Sequence, residues 1–451
     1  MITISLNGSV GIAQTRRKID FDHNSDYAYI RIRFLPRKEP FMTTWDLSKA
    51  KRLVSDKIDS LSPRIKEISH IIFKNPELGL AEFKASELLT SELKKHGFSI
   101  ERNVAGLTTA FKASKGKSGE PTIGLIAEYD ALPEIGHACG HNIIAASALG
   151  AALGLSDFLN ETGGTVVVVG TPNEEGAVAS GKGLADLESQ IRGKVKMIAE
   201  GSFNDIDAAI EIHPYTKTTL NASFLALTPV KISFTGKPAH AAAAPEKGIN
   251  ALDAMILTFN GINALRQHLR SDVRIHGIIT EGGEAPNIIP EKASALFYLR
   301  AADKKYLDEV LTKVRRCAEG AALATGATLN FQRSSYTLAN MLSNSTLAKI
   351  FEKNVQDLNE KVEELEQHEH LGSSDIGNVS QVVPAIHPLI RVGSKSIAIH
   401  SREFAEAVAS ESGDKALILA AKAIAFTCLD LLAEKELFRK MKMELHKSVE
   451  S

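Results

Sequence analysis

The chain has 451 residues, more than the ~250–300 at which single hydrophobic cores stop growing, so we expect more than one domain. Its hydrophobic share of 44% and charged share of 24% are typical of globular proteins and exclude a disordered or collagen-like chain. With 53 basic against 54 acidic residues the formal net charge is -1, which gives no electrostatic attraction to nucleic acid or to an anionic membrane.

The three cysteines, Cys139, Cys317 and Cys428, are an odd number without short-range pairing, which favours a reducing compartment over a disulfide scaffold. No uninterrupted apolar run reaches the ~18–20 residues of a membrane helix. The first residues also lack the apolar segment and cleavage site of a secretory signal. These observations predict a cytoplasmic protein.

The first part of the chain differs from the rest. Residues 1–41 show no helical period, although DYAYIRIRF at 26–34 is compatible with a short strand, and we interpret 1–41 as an N-terminal tail or extension. From Met42 to Ile58 apolar residues recur at helical spacing, and the stretch from Ser60 to Pro63 predicts a break.

Short apolar runs then alternate with helical segments. The runs at 121–133, 164–176, 208–214 and 396–401 are nearly continuous, which is typical of strands that helices cover on both faces. The small-residue segment 142–159 predicts a helix that packs closely on them. The alternation predicts an α/β fold with a mixed, mostly parallel sheet flanked by helices.

A second pattern interrupts the first between residues 227 and 338. Its order is β-α-β-β-α-β, with a long amphipathic helix at 246–269, and this order predicts a small α+β domain of the ferredoxin-like type. The α/β pattern resumes at 339, so the larger domain is divided into 42–226 and 339–451.

Four groups of potential metal ligands follow predicted strands. In open α/β sheets, ligands bind beyond the carboxyl ends of the strands, so these groups are expected to converge. Thiolate, imidazole and carboxylate together suit Zn²⁺ above all, with Mn²⁺, Co²⁺ and Ni²⁺ as alternatives. The groups are Cys139 and His141 in GHACGHN, Glu174 and Glu175 in TPNEEG, His213 in EIHP and His400 in AIH.

Each of these residues taken alone has a simpler interpretation. A histidine after a strand is usually a satisfied polar residue, a cysteine is more often a small buried hydrophobe, and adjacent glutamates usually lie on the surface. The convergence of four groups favours a metal centre. One glutamate of the Glu174–Glu175 pair would then bind metal, and its neighbour would act on the water that the metal activates.

These motifs, with GKPAHAAAAP and APNIIP, resemble the dinuclear metallopeptidases of family M20, which include aminoacylases, acetylornithine deacetylases and glutamate carboxypeptidases. The resemblance extends over about residues 45–435 in motif order. GSSDIGNVS makes the chain most similar to the cysteine-ligand branch, that of p-aminobenzoyl-glutamate hydrolase and related eukaryotic dipeptidases. The resemblance implies a zinc-exopeptidase-like catalytic domain and makes 227–338 a lid and dimerisation domain.

The resemblance also implies a role for each site residue. Glu174 is the general base and acid, and two divalent metal ions are held by Cys139 as the bridge and by His141, Glu175, His213 and His400. Most family members use a His-any-Asp motif where this chain reads Glu128-Tyr129-Asp130, a loss that the cysteine branch shares. Asp130 is therefore expected to support the catalytic site without bridging the metals, and His137 competes as a ligand.

Three residues of the inserted domain match residues that act on the substrate. His240 matches a histidine that polarises the scissile carbonyl, often from the partner subunit, and the alternative is a loop histidine without function. Asn287 and Arg300 match residues that hold the substrate's carboxylate, to which an arginine can donate two parallel hydrogen bonds. For Arg300 the alternative is a surface charge at the end of a strand.

The resemblance therefore implies a homodimeric, metal-dependent hydrolase. It would cleave the amide of a small N-acyl amino acid, dipeptide or aroyl-glutamate that has a free carboxylate. The alternative is a non-catalytic family member that acts as a binding or regulatory subunit, and the presence of the whole ligand set and the base favours the enzyme. The sequence contains neither G-x-S-x-G nor a phosphate-binding loop, which excludes a serine hydrolase of that type and a nucleotide-dependent ligase.

Overall fold

The computed structural model describes residues 46–117, 119–176, 187, 191–220, 223–364 and 372–450, so the segment 1–41 and its expected strand lie outside the described residues. All described residues belong to one unit, Thr43–Ser451. The helices are α1 Leu47–Lys74, α2 Phe83–Lys95, α3 His141–Leu155, α4 Leu159–Thr162, α5 Gly193–Ala199, α6 Ala251–Leu265, α7 Lys304–Thr325, α8 Ser345–Asp357, α9 Ile376–Ser380, α10 Arg402–Val408, α11 Glu411–Ala433 and α12 Glu436–Glu450. The strands are β1 Ser99–Arg102, β2 Phe111–Gly116, β3 Thr122–Glu128, β4 Thr165–Thr171, β5 Ala208–Ile210, β6 His213–Tyr215, β7 Ala226–Thr235, β8 Arg274–Glu281, β9 Lys292–Ala301, β10 Thr328–Arg333, β11 Ala385–Ile386 and β12 Leu389–Arg391.

The main sheet has the strand order β1-β2-β4-β3-β5-β11. The pairs among β4, β3, β5 and β11 are parallel, whereas β1 and β2 are antiparallel to their neighbours. Along β4, Val166 and Val168 pack on one face with α1, α3 and α11, and Val167 and Val169 pack on the other with α5 and α9. Helices on both faces explain the continuous apolar run, and the predicted mixed, mostly parallel α/β fold is confirmed.

The helix break predicted between Ser60 and Pro63 is wrong, because α1 runs through Pro63 to Lys74. A proline inside a helix removes one backbone hydrogen bond and costs about 3 kcal/mol. The flanking isoleucines Ile58 and Ile65 are fully buried in the core, and each such burial contributes about 1.5–3 kcal/mol. Tertiary packing therefore outweighs the local signal.

The strand predicted at 396–401 is also wrong. Ile397 and Ile399 are only half buried, and the segment forms a turn that leads into α10. His400 has a left-handed φ of 60°, and its backbone N–H donates to the carbonyl of Ala138 at 3.1 Å. The parallel strand beside β5 is instead β11. The predicted strand at 208–214 is divided, because β6 leaves the main sheet and pairs with β12.

The inserted domain has the antiparallel strand order β10-β7-β9-β8 with α6 and α7 on one face, as the ferredoxin-like prediction requires. Helix α6 is shorter than the predicted 246–269. It begins after Asn250, whose side chain accepts hydrogen bonds from two backbone N–H groups, and it ends at Leu265 before a short 3₁₀ turn. Strand β8 is one of the two edge strands of this sheet, and most of its side chains are exposed.

Helix α11 is the one described helix that is long and apolar enough to cross a membrane, judged by length and composition alone. In this fold 72% of its most apolar window is buried. Its buried residues pack with those of α1 and α3 in the largest hydrophobic cluster. It is therefore a core helix of the catalytic domain.

The contact between α3 and α1 depends on a glycine. A Cβ atom at Gly154 would lie 2.6 Å from Cγ1 of Ile58. This is closer than two carbon atoms can pack, so α3 and α1 would have to move apart. We expect Gly154→Val to lower the free energy of unfolding by about 1–3 kcal/mol through overpacking. The control is Gly320→Ala in α7, where a Cβ meets nothing within 4 Å and helix propensity gains up to ~1 kcal/mol. Denaturant unfolding of both variants measures the difference in stability. Equal unfolding midpoints would contradict the close packing of α3 on α1 at Gly154.

Candidate active site

The candidate site lies at the carboxyl edge of the main sheet. Asp130 follows β3, the pair Glu174 and Glu175 follows β4, and His213 follows β5 as the first residue of β6. Because parallel strands end at one edge, three chain segments far apart in sequence deliver their polar side chains to the same place. The fourth contribution, His400, comes from the turn before α10.

A glycine positions the Cys139–His141 segment. Gly140 precedes the first residue of α3 and has a φ of 83°, in the left-handed region that favours glycine. A Cβ atom there would lie 2.8 Å from Cγ of Pro214. Only glycine therefore allows both the turn and the close approach to β6, which brings Cys139 to His213.

The expected metal ligands form one cluster around a thiol. Cys139 Sγ lies 3.2 Å from His213 Nε2 and 3.3 Å from His400 Nε2. Two groups of ligand atoms, each within 4.8 Å of one another, overlap at this sulfur: Cys139 with His141 and His213, and Cys139 with Glu175 and His400. A shared ligand of this kind can bridge two ions. His137, the competing residue, is in none of the ligand groups found among the described residues.

The chemistry of these donors fits metal ions. Among the described residues, His141 Nε2 and Glu175 Oε1 are buried atoms without a hydrogen-bond partner, which is rare for polar atoms. Burial, with the charge of Glu174, raises the pKa of Glu175 to about 7. Burial also raises the pKa of the Cys139 thiol well above its usual value. A divalent cation would displace these protons and satisfy the unpartnered atoms.

Asp130 supports two of the ligands from behind. Its Oδ1 lies 2.9 Å from His141 Nδ1, and its Oδ2 accepts the backbone N–H of Glu175 at 3.0 Å. Burial opposes ionisation, but the charge and hydrogen bond of His141 outweigh it and lower the pKa of Asp130. With Asp130 as the acceptor at Nδ1, Nε2 of His141 could bind a metal ion once it releases its own proton, as in the carboxylate–histidine–metal arrangement.

Sequence reasoning missed Glu82, which stabilises the loop that carries Glu174. The buried carboxylate of Glu82 accepts the backbone N–H of Asn173 at 2.9 Å and the hydroxyl of Thr109 at 2.7 Å. Asn173 has a left-handed φ of 57°, so the loop needs such support. Glu82 on one side and Asp130 on the other thus hold the backbone around Glu174. Nothing in AEFKAS distinguishes this glutamate from a surface residue.

Sequence reasoning also missed a buried cation. The side chain of Lys194 is fully buried, and its Nζ contacts Glu128, lies 2.5 Å from Asp375 Oδ1 and lies 3.5 Å from Glu211 Oε1. Oxygens of Glu128, Glu174 and Asp375 form a further potential cation group. The Lys194 ammonium already pairs with two of those three residues. In the sequence, RGKVKM is indistinguishable from an exposed helix start.

A cavity of about 90 Å³ opens beside the ligand cluster, and its lining includes Cys139, Glu174 and His213. Another residue that the sequence did not identify, His387, also lines it. Its ring is packed 5.5 Å from that of His213 and 5.1 Å from that of Phe224. Burial lowers the pKa of His387 to about 4, so the ring is neutral near pH 7.

The three lid residues are in different places. Arg300 donates to Ser373 Oγ at 2.9 Å, and Ser373 lines the cavity, so Arg300 lies beside the site. His240 and Asn287 are exposed on the lid next to each other, and neither lines the cavity. Nδ1 of His240 accepts two backbone N–H groups, which leaves Nε2 to carry the hydrogen and to donate.

Comparisons with known proteins agree with this architecture. A family model described as a peptidase dimerisation domain matches residues 227–325. The chain is 33% identical over 415 residues to a Xaa-Arg dipeptidase of Mus musculus, covering 88% of this chain and 93% of that protein. It is 35% identical over 317 residues to a p-aminobenzoyl-glutamate hydrolase polypeptide of Escherichia coli (strain K12), covering 66% of this chain and 63% of that protein.

A solved structure has the same fold. It is a Bacillus subtilis protein described as a dinuclear metal binding peptidase from the M20 family, with a TM-score of 0.62 and 22% identity. The match covers 83% of this chain and 99% of that chain. At this identity the likeness supports the fold alone.

Removing the buried cation is expected to destabilise the protein. Lys194→Met leaves three buried carboxylates without their cation, which costs about 3–5 kcal/mol. The control in the same helix is Lys196→Met, because within the described part of the chain the ion pair of Lys196 is a surface pair with Glu200 at 3.9 Å, worth less than ~1 kcal/mol. Denaturant unfolding at neutral pH measures both, and equal midpoints would show that Lys194 does not compensate the acids.

The pH dependence checks the cause. Burial raises the pKa of Asp375 to about 7, so a proton neutralises this carboxylate as the pH falls below 7. The deficit of Lys194→Met relative to wild type should therefore be smaller at pH 5 than at pH 8. A deficit that does not change with pH would indicate lost packing.

Proposed function

Because the chain belongs to the M20 family of metallopeptidases and is a metal-dependent amidohydrolase, we propose that it hydrolyses a small N-acyl amino acid, dipeptide or aroyl-glutamate. The observation that carries the proposal is the cluster of a thiol, three imidazoles and a carboxylate beside one cavity, with a second carboxylate at the cavity wall. The proposed ligands are Cys139, His141, Glu175, His213 and His400.

We propose two divalent ions, with Zn²⁺ as the resident metal, to both of which Cys139 would contribute as a shared ligand. The two ligand groups that overlap at Cys139 support two ions, and a set of thiolate, imidazole and carboxylate favours zinc. When bound, such ions polarise the carbonyl and activate water. His213 is prepared as a ligand by its Nδ1, which lies 2.7 Å from the Pro214 carbonyl and donates to it, so that Nε2 is left with its lone pair.

We propose Glu174 as the general base and acid. It lines the cavity, and one of its oxygens lies within 4.8 Å of ligand atoms of His141 and Glu175. Glu174 takes a proton from the attacking water and transfers it to the leaving amine nitrogen. The hydrogen bonds that Glu82 and Asp130 accept on either side keep this carboxylate in place.

We propose that Arg300 binds the substrate's free carboxylate. In support, its half-buried guanidinium already donates to a hydroxyl at the cavity wall, and no carboxylate lies in ion-pair distance among the residues the structure describes. A Xaa-Arg dipeptide and p-aminobenzoyl-glutamate, the compounds named for the two relatives, both have a carboxylate close to the scissile amide. Arg300 therefore fits the feature that the two compounds share.

We propose a homodimer formed through the lid. The exposed edge strand β8 presents Ile278 and Ile279, which are 63% and 43% exposed, and α6 presents Ile256 and Leu257. A two-fold pairing of lids would bury this apolar surface and protect the edge. Because His240 and Asn287 lie away from the cavity of their own chain, we place them at the partner's site, where His240 donates to the carbonyl oxygen.

Substitutions in the adjacent pair Glu174 and Glu175 can show which glutamate is the general base and which is the metal ligand. Glu174→Gln should keep bound metal and lose turnover by about 10²–10⁴-fold, because the proton transfer is lost. Glu175→Gln should lose metal together with activity. Elemental analysis and amine release from metal-loaded protein, with p-aminobenzoyl-glutamate and alanyl-arginine as substrates, measure both properties. Metal loss in Glu174→Gln would reverse the two assignments, and wild-type protein without amide hydrolysis would refute the function.

Mixing variants tests the contribution of the partner subunit. Glu174→Gln and His240→Ala should each be nearly inactive as pure dimers. In a mixed dimer one site combines an intact Glu174 with an intact His240 of the partner subunit, so random exchange should recover up to roughly a quarter of wild-type activity for a closed two-fold dimer. No recovery under conditions shown to exchange subunits would place His240 outside the reaction or within its own chain.

A further inference from the structure

Among the described residues, one ring nitrogen of His387 has a hydrogen-bond partner and the other has none. Its side chain is 2% exposed, and Nδ1 lies 3.1 Å from Glu211 Oε2. Nε2 is buried and has no hydrogen-bond partner among the described residues. Because His387 lines the same cavity as Glu174, this buried nitrogen lies within the wall of the candidate site.

The protein specifies the orientation of this ring. Glu211 is fully buried, and the ammonium of Lys194 lies 3.5 Å from its other oxygen. Glu211 thus faces a cation on one side and His387 on the other, so it accepts the Nδ1 hydrogen. In the tautomer that carries its hydrogen on Nδ1, the acceptor nitrogen is Nε2. Phe224, which packs edge-on against the ring at 5.1 Å, prevents the ring from turning.

His387 is not part of the metal centre. None of the ligand groups found among the described residues includes it. Leaving a buried acceptor without a donor costs free energy, which a ligand with an N–H group would recover. The cavity is small, and the part of the substrate that must enter it is the scissile amide, whose nitrogen receives the proton from Glu174. This amide nitrogen carries a hydrogen.

We propose that Nε2 of His387 accepts a hydrogen bond from the N–H of the scissile amide and so orients the leaving nitrogen beside Glu174. This inference rests on the proposed amide hydrolysis. With its N–H directed to His387, the nitrogen keeps its lone pair available for the proton that Glu174 delivers. His387 therefore binds substrate, and Glu211 and Lys194 act through it as positioning residues.

Two variants distinguish the loss of the hydrogen-bond acceptor at residue 387 from a general effect on folding. His387→Asn retains an amide that can donate to Glu211 but is too short to place an acceptor where Nε2 lies. His387→Gln is longer, and its carbonyl oxygen reaches that position. The substrates are p-aminobenzoyl-glutamate and alanyl-arginine, each paired with the ester in which oxygen replaces the scissile N–H. Bound metal and the unfolding temperature are measured for each variant.

We expect His387→Asn to lower kcat/KM for the amides roughly 10- to 100-fold, the effect of a substrate N–H left unpaired. Its ester hydrolysis should remain close to wild type, because the ester has no hydrogen to donate, and His387→Gln should recover part of the amide rate. Amide rates equal to wild type, an equal loss on esters, or metal loss in His387→Asn would each overturn the proposal. Wild-type protein inactive on all amides would refute the proposed function itself.

Discussion

A buried carboxylate requires a cation or a hydrogen-bond donor, and this requirement organises the site. Three acids at the end of the sheet share the ammonium of Lys194, which a helix on one face of the sheet provides. Glu175, a few ångströms away, has only the imidazoles of His141 and His400 within ion-pair distance among the described residues, and its pKa is raised to about 7. The protein thus neutralises one part of its buried charge with its own lysine and leaves the other part to ions from solution.

The proposed base, Glu174, is positioned through the backbone of the two residues next to it. Glu82 and Asp130 accept the backbone N–H groups on either side of Glu174, so the loop is fixed while the Glu174 side chain remains at the cavity. This division is physically reasonable, because a base must change its protonation state and cannot also be held by permanent strong hydrogen bonds. Hydrogen bonds to the backbone of the loop fix the position of Glu174 without lowering the basicity of its carboxylate.

In the proposed mechanism, one chain by itself holds an incomplete reaction site. The lid brings Arg300 to the cavity but leaves His240 and Asn287 exposed, and the exposed isoleucines of β8 lie on the same domain. A dimer would remove the exposed edge strand and also supply the missing donor. The same lid surface would then stabilise the dimer and complete the reaction site. Activity would therefore depend on association of the two chains.

The sequence by itself determined the features that are local in the chain. Three of the four apolar runs predicted buried strands, because burial on both faces demands continuous hydrophobicity, and the residue types that follow the runs predicted a set of metal ligands. The order of elements in 227–338 predicted the ferredoxin-like lid, which the structure confirms. The roles assigned to the individual site residues, including His240 and Asn287, stay predictions.

Only the tertiary structure decided what depends on distant packing. Pro63 lies inside α1 because the isoleucines around it are buried by helices far along the chain, and 396–401 is a turn because only half of it is covered. Lys194 and His387 look ordinary in the sequence. Their roles arise from carboxylates that approach from segments up to 181 residues away, and no local pattern encodes such long-range electrostatic contacts.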